Sequence, residues 1–318
     1  MPDSRPDPSN PAEFDARVVA AFGRRFEVRD TTGRRLEARP VGRKMSIVCG
    51  DSVSCRHDPT HGETAIIAVL PRSTLLARAN LRGDSEPVAA NLSQLLVVVA
   101  PQPVPDLFIL DRYLCAATSA GMRGSVIVNK SDLPGVAISS PDAQAFAAAG
   151  YSITACSAAT GEGVEHLRQL LHAETSAFVG QSGVGKSSLV AALLPHKEVA
   201  IGDLTRTAEG RHTTTASRVY ELAADSWLID SPGVRDYAPA LDNLEQTTLG
   251  FLEIAQLAPA CRFQDCRHLR EPDCAVQAAV AAGELNARRY ESYRRLRRLH
   301  DDFAAARAPR GRQNRNGG

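Results

Sequence analysis

No apolar run in the chain approaches the roughly 20 residues that a membrane-spanning helix needs, so a helical membrane protein is not expected. The first 17 residues, MPDSRPDPSNPAEFDAR, lack the basic and apolar regions of a secretory signal and are rich in proline. They read as a disordered lead-in to a cytoplasmic protein. No internal repeat is visible, which argues against a solenoid or propeller. Net charge is also nearly absent, at +1. That balance conceals an asymmetry: from Arg288 to Gly318 ten arginines stand against three acids, a net +7. A basic end on a near-neutral body suits either a polyanionic partner or a solvated helix face with a loose end.

Hydrophobic residues make up 43% and charged residues 23% of the 318, the balance of a globular chain long enough for two or three domains. The seven cysteines are uneven, with Cys261, Cys266 and Cys274 in one short interval. In a reducing compartment such a cluster suggests metal before disulfides.

From about 15 to 70 the chain reads as short strands separated by Gly, Asp and Pro, among them ARVVAAFGRRFEVRDTTGRRLEARP, MSIVCGDSVSC and ETAIIAVLP. This pattern predicts a small all-β barrel or sandwich, an oligonucleotide-binding (OB) barrel being one option. Arg24, Arg25, Arg34, Arg35, Arg43 and Lys44 can give it a basic face, for nucleic acid or merely for solubility. The rhythm then changes: LLVVVA, SVIVNK, YSITACSA and SAFVG read as buried strands alternating with helices. Alternation of that kind predicts an α/β domain with a mainly parallel sheet. ASRVYELAADSWLID reads as two adjoining strands, and from Leu241 onward the pattern is helical with a cysteine-rich interruption. The expected division is a disordered 1–14, a β-barrel at 15–85, an α/β domain at 86–240, a mostly α domain at 241–308 and a disordered basic tail at 309–318.

The residues Gly180-Gln181-Ser182-Gly183-Val184-Gly185-Lys186-Ser187, followed by Ser188, fit G-x-x-x-x-G-K-[ST] between a strand and a helix. Glycines let backbone N–H groups turn inward around phosphate, and the helix N-terminus adds its dipole. Lys186 supplies positive charge between the β- and γ-phosphates, and the Ser187 hydroxyl suits Mg²⁺. Asn129-Lys130-Ser131-Asp132 ends a predicted buried strand, where open α/β sheets bind ligands. The Asp132 carboxylate accepts from the N1–H and 2-amino group of guanine, donors that adenine lacks. Lys130 can lie over the base, and Asn129 can tie its loop to the phosphate loop. Cys156-Ser157-Ala158 ends the next strand, where the Ser157 and Ala158 backbone can reach the guanine O6. Asp230-Ser-Pro-Gly233 follows another apolar strand, with Asp230 suited to Mg²⁺ and the Gly233 N–H to the γ-phosphate. Between these lies EGRHTTTAS, where Thr213 or Thr214 can serve the metal and the γ-phosphate.

The order is unusual, because base-selecting elements precede the phosphate loop. A usual GTPase series with its last two elements moved to the front accounts for all five at once. Ligand contacts depend on position in space, and a domain whose termini lie close tolerates circular permutation. Separately, Cys261, Cys266, His268 and Cys274 form C-x₄-C-x-H-x₅-C, a ligand set for one closed, structural Zn²⁺. The bland alternative is unrelated buried cysteines and a surface histidine.

These stretches resemble the circularly permuted, small-ribosomal-subunit-dependent GTPases of bacteria. The resemblance rests on VAANLSQLLVVVAPQP, LDRYL, GQSGVGKSSL, GRHTTT, DSPGVR and the cysteine cluster. It implies an N-terminal OB-like barrel, a central circularly permuted P-loop GTPase domain and a C-terminal, mostly α zinc-binding domain. It further implies GTP hydrolysis in late maturation of the small (30S) subunit, with rRNA binding, stimulation by the subunit and release on hydrolysis. A monomer acting in the cytoplasm without membrane contact is expected. Val234 stands where many G proteins carry a water-orienting glutamine, so intrinsic turnover should be slow. His212 is similar to the family's histidine in GRHTTT and is the candidate catalytic residue. The rival readings are a GTP-regulated RNA-binding module with incidental turnover and an ATP-dependent P-loop enzyme.

Overall fold

A computed structural model describes residues 13–42, 45–58, 63–79, 85–194, 217–231, 234 and 239–307. Residues 1–12 of the expected disordered lead-in, the tail at 309–318, Arg43, Lys44, the threonine loop and Gly233 lie outside the described residues; Glu13 and Phe14, expected in the lead-in, are strand instead, because they pair with Arg56 and Cys55. The N-terminal strands are β1 (Glu13–Phe22), β2 (Arg25–Asp30), β3 (Arg35–Pro40), β4 (Ser52–Asp58) and β5 (Glu63–Val69). They run in the order β1-β2-β3-β5-β4, and pairing of β4 back onto β1 closes a five-stranded barrel. Alternating residues Ala16, Val18, Phe26, Val28, Val53 and Ile66 fill its interior. Met45–Val48, read from the sequence as strand, is irregular instead. Asp51 accounts for this by accepting from the Val48 N–H at 2.9 Å and from Arg72 Nε at 2.7 Å, while Arg72 Nη2 donates to the Ser46 carbonyl. Side chains thus take up the groups that a strand neighbour would otherwise pair.

A hairpin, β6 (Leu75–Ala79) and β7 (Ser85–Ala90), leads into the α/β domain. Its strands are β8 (Gln94–Val99), β9 (Arg123–Val128), β10 (Ser152–Ala155), β11 (Thr175–Val179), β12 (Ser217–Ala223) and β13 (Ser226–Asp230). The order β10-β9-β8-β11-β13 is parallel, with β12 antiparallel on β13. All six residues of β8 are buried, as a strand covered on both faces requires. Its pleat divides the core. Leu95, Val97 and Val99 point into a cluster shared with α1 (Leu107–Ser119), α2 (Ser140–Ala148) and the C-terminal helices, whereas Leu96 and Val98 face α3 (Val164–Leu170) and α4 (Lys186–Leu193).

Barrel and α/β domain share one sheet, because β1 pairs with β12 at Ala20↔Arg218 and Ala21↔Ser217. Arg17 and Arg29 both lie over the Trp227 ring, at 5.2 and 4.9 Å. Gly50, at φ +90°, sits so close to the partner domain that a Cβ would lie 2.1 Å from the Ala90 carbonyl oxygen. The chain ends in α5 (Leu252–Leu257), α6 (Ala275–Ala281) and α7 (Ala287–Arg307), with the cysteine segment between α5 and α6. Much of the charge on α7 is internal: Arg289 and Arg297 are buried, Arg297 Nη1 donates to the Gln246 carbonyl at 2.6 Å, and Arg294 and Arg298 both pair with Glu291. The helix therefore offers solvent less positive charge than its sequence suggests.

Candidate functional site

The loops after β8, β9, β10, β11 and β13 all leave the same, C-terminal edge of the parallel strands, the edge at which open α/β sheets bind ligands. Three of them are tied by one side chain. Asn129 is 1% exposed; its Nδ2 donates to the Val184 carbonyl at 2.9 Å, and its Oδ1 accepts from the Ala158 N–H at 3.2 Å. The loop after β9 thereby holds the phosphate loop on one side and the 156–158 loop on the other. Backbone bonds from Asn129 N to Val99 O, Cys156 N to Val128 O and Ser131 N to Cys156 O fix the ends of β8, β9 and β10 against one another.

Lys130, at φ +58°, sends Nζ to the Gly183 carbonyl at 2.6 Å and the Gln102 carbonyl at 3.0 Å, so its stem runs across the mouth between loops. Gln102 was not singled out in the sequence; nothing in its local pattern signals a carbonyl aimed at a lysine 28 positions on. Asp132 is exposed at the loop tip, within reach of a ligand entering from solvent. Ser157 is fully buried and its Oγ accepts from the Thr160 N–H, which stiffens the turn that presents Ala158.

The phosphate loop connects β11 to α4 through left-handed backbone at Gly180, Gly183 and Gly185. Two of these glycines are required by space: a Cβ on Gly180 would lie 2.2 Å from the Val98 carbonyl oxygen, and one on Gly185 would lie 2.3 Å from Asn129 Nδ2. Lys186 Nζ bonds the Gly180 and Gln181 carbonyls at 2.6 and 2.9 Å, keeping its charge inside the loop. Ser182, Ser187 and Ser188 are exposed, while Val184 is buried under the loop. Asp230 ends β13, two strands from β8, and Ser231 Oγ accepts from the Val234 N–H at 3.2 Å. Val234 is 1% exposed, so the position where many G proteins have glutamine is a core residue here. His212, Thr213, Thr214 and Gly233 lie outside the described residues.

The cysteine cluster is brought together as its spacing predicts. The ligand atoms of Cys261, Cys266, His268 and Cys274 lie within 4.8 Å of one another. The two thiols of Cys261 and Cys274 are each 3.5 Å from His268 Nδ1 and 3.8 Å apart. A tetrahedral zinc shell has edges of about 3.5 Å between S and N and about 3.8 Å between S and S, so the residues fit the ion. Burial lowers the His268 imidazole pKa and favours its neutral, ligating form. Burial pushes the Cys266 thiol up and the neighbouring thiols add to this, so a cation is what would draw its proton off. Tyr290 and Tyr293 of α7 donate to the His268 and Arg267 carbonyls at 2.6 and 2.7 Å, docking the cluster on the helix.

A family model described as RsgA GTPase matches residues 69–239. A protein named Small ribosomal subunit biogenesis GTPase RsgA from Ectopseudomonas mendocina is 39% identical over 288 residues, covering 88% of this chain and 83% of its own. The protein of the same name from Pseudomonas fluorescens is 40% identical over 291 residues with the same coverage. The crystal structure of YjeQ from Thermotoga maritima superposes with a TM-score of 0.70 at 27% identity, covering 92% of this chain and 99% of that one. YloQ, described as a circularly permuted GTPase, shares the fold at a TM-score of 0.68 and 22% identity over 94% and 98% of the two chains.

Proposed function

This chain belongs to the RsgA GTPase family, and from that premise we propose how its residues divide the work of a GTP hydrolase in small-ribosomal-subunit biogenesis. The observation that carries the proposal is the position of Asn129, which bonds the phosphate loop and the 156–158 loop from the base-selecting tetrapeptide. A purine edge at Asp132 and phosphates at Gly180–Ser188 then belong to one molecule. Asp132 selects guanine: against adenine its carboxylate would meet no donor, at a cost of about 1–3 kcal/mol. Lys130 covers the base, Ser157 and Ala158 meet O6, and Lys186 with the phosphate-loop N–H groups holds the β- and γ-phosphates.

Ser187, Asp230 and Thr213 or Thr214 hold Mg²⁺, which when bound neutralises charge developing on the phosphates. One structural Zn²⁺ at Cys261, Cys266, His268 and Cys274 stabilises the C-terminal domain (241–308) and fills a closed ligand set with no place for chemistry. His212 orients the attacking water, a role that the buried Val234 cannot fill. The 30S subunit and its rRNA dock on the barrel (15–85), where Arg24, Arg25 and Arg34 are exposed, and on the zinc domain with the outer arginines of α7. Docking orders the loop at 205–215 and stimulates hydrolysis, and the change in that loop after hydrolysis releases the protein. The protein acts as a monomer in the cytoplasm; among the described residues no helix is long and apolar enough to cross a membrane.

The test is GTP turnover over a titration of small subunits, with large subunits as control. Stimulation by the small subunit alone, lost in His212→Ala with GTP and subunit binding retained, is the expected result. Equal rates with and without small subunits would remove the ribosome from the mechanism, and full turnover in His212→Ala would remove that histidine.

A further inference from the structure

Arg288, the second residue of α7, lies far in sequence from the nucleotide loops yet reaches the helix that begins where the base loop ends. Its Nε donates to Asp142 Oδ1 at 2.6 Å and its Nη1 to Asp111 Oδ2 at 2.8 Å. Asp142 stands in the first turn of α2, and its other oxygen accepts from Ser139 Oγ at 2.6 Å. Ser139 is the N-cap of α2 and the last residue of the segment running from Asp132. Asp111, fully buried on α1, also accepts from Arg289 Nη1 at 2.5 Å, and Arg289 in turn grips Glu253 through Nε and Nη2 at 2.6 and 2.8 Å. The α1 helix follows the loop whose Gln102 carbonyl receives Lys130. One pair of arginines thus fastens both helices that flank the base loop.

We infer that Arg288, acting through Asp142 and the Ser139 cap, is a positioning residue for guanine recognition: it holds the downstream end of the 132–139 segment so that the Asp132 carboxylate meets the base edge in register. The inference rests on the reading of Asn129–Asp132 as the guanine-selecting element. Its chemistry favours a fork over a point charge, since one guanidinium bridges two carboxylates on two helices, a geometry lysine cannot reproduce. The Arg288 guanidinium also lies 5.2 Å from the Phe146 ring centre on α2, which fixes its plane. Asp142 faces Arg288, Ser139 and solvent. Its position therefore depends on the arginine.

Inosine diphosphate lacks the 2-amino group of guanosine diphosphate, so the ratio of their dissociation constants reports how well the carboxylate of Asp132 is placed. In the full-length protein, Arg288→Ala is expected to weaken GDP binding by about tenfold and to shrink the inosine-to-guanosine ratio at least about threefold. Arg288→Lys should recover part of that ratio. Asp142→Asn, which keeps the shape of α2, should shrink it likewise and serves where Arg288→Ala yields no folded protein. Arg123→Ala, which loses an ion pair with Glu174 at the far end of β9 but no contact to Asp142, should leave the ratio at the wild-type value. Asp132→Asn is run alongside; by offering a donor, it should shift preference to xanthosine diphosphate, whose C2 carries a carbonyl. If that shift is absent, the guanine assignment itself is wrong. If the shift occurs but folded Arg288→Ala or Asp142→Asn keeps the wild-type ratio, the positioning role is refuted.

Discussion

Replacing Asn129 by alanine removes two bonds at once, and their cost can be worked from the geometry. The Nδ2 bond to the Val184 carbonyl and the Ala158 N–H bond to Oδ1, at 2.9 and 3.2 Å, are each worth about 1 kcal/mol net. The Val184 carbonyl lies under a residue that is 1% exposed, and leaving it unpaired adds about 1–3 kcal/mol. The sum is about 3–5 kcal/mol. At about 1.4 kcal/mol per tenfold, GDP affinity should fall by about a hundredfold to a few thousandfold if the nucleotide complex bears the whole loss. Asn129→Asp should bind no better than Asn129→Ala, because a carboxylate keeps the Ala158 bond but sets a negative oxygen against the Val184 carbonyl. Both contacts join loops at the rim, while the two hydrophobic clusters that carry the fold do not include Asn129. Calorimetric titration with GDP on the purified variants, beside thermal melts, separates binding from folding. A folded Asn129→Ala that binds GDP within threefold of wild type would refute the idea that this side chain assembles the pocket.

Two further outcomes follow from the C-terminal region. Cys274→Ser, or prolonged chelation of the wild type, should abolish stoichiometric zinc measured by elemental analysis and lower the melting temperature, since the ligand atoms are already gathered within 4.8 Å; unchanged melting without metal would deny the site a structural role. Glu245 accepts from the Thr247 and Thr248 N–H groups and from Thr248 Oγ1, each at 2.6 Å. Burial works to raise its pKa, but these bonds outweigh burial and lower it. A carboxylate with a lowered folded pKa adds stability that is present above its ordinary value, about 4.3, and lost as pH falls below it. Glu245→Gln should therefore flatten the stability–pH curve below about pH 4.3, as read by denaturant melts across that range.

Much of this protein is legible along the chain because its chemistry is local. A phosphate loop needs glycine, lysine and serine within eight positions, zinc needs thiols and an imidazole on one short excursion, and a strand buried on both faces needs an unbroken apolar run such as Leu95–Ala100. Even the permuted order of the nucleotide elements is visible, since each is a few contiguous residues at the end of a predicted strand. Other features had no local signal. Met45–Val48 has the composition of a strand, but Asp51 and Arg72 take its hydrogen-bonding groups from outside.

The arginines of α7 show the same division. Counted along the sequence they are a basic surface; in the fold Arg288 and Arg289 close ion pairs with partners 146 and 178 residues away. Sequence alone marked out the loops proposed to hold phosphate, guanine and metal, because those roles depend on residue type at fixed short spacing. Only the tertiary structure decided which charges face solvent and which tie domains together. A buried ion pair is defined by two positions meeting across a packed core, and neither residue carries a mark of its partner.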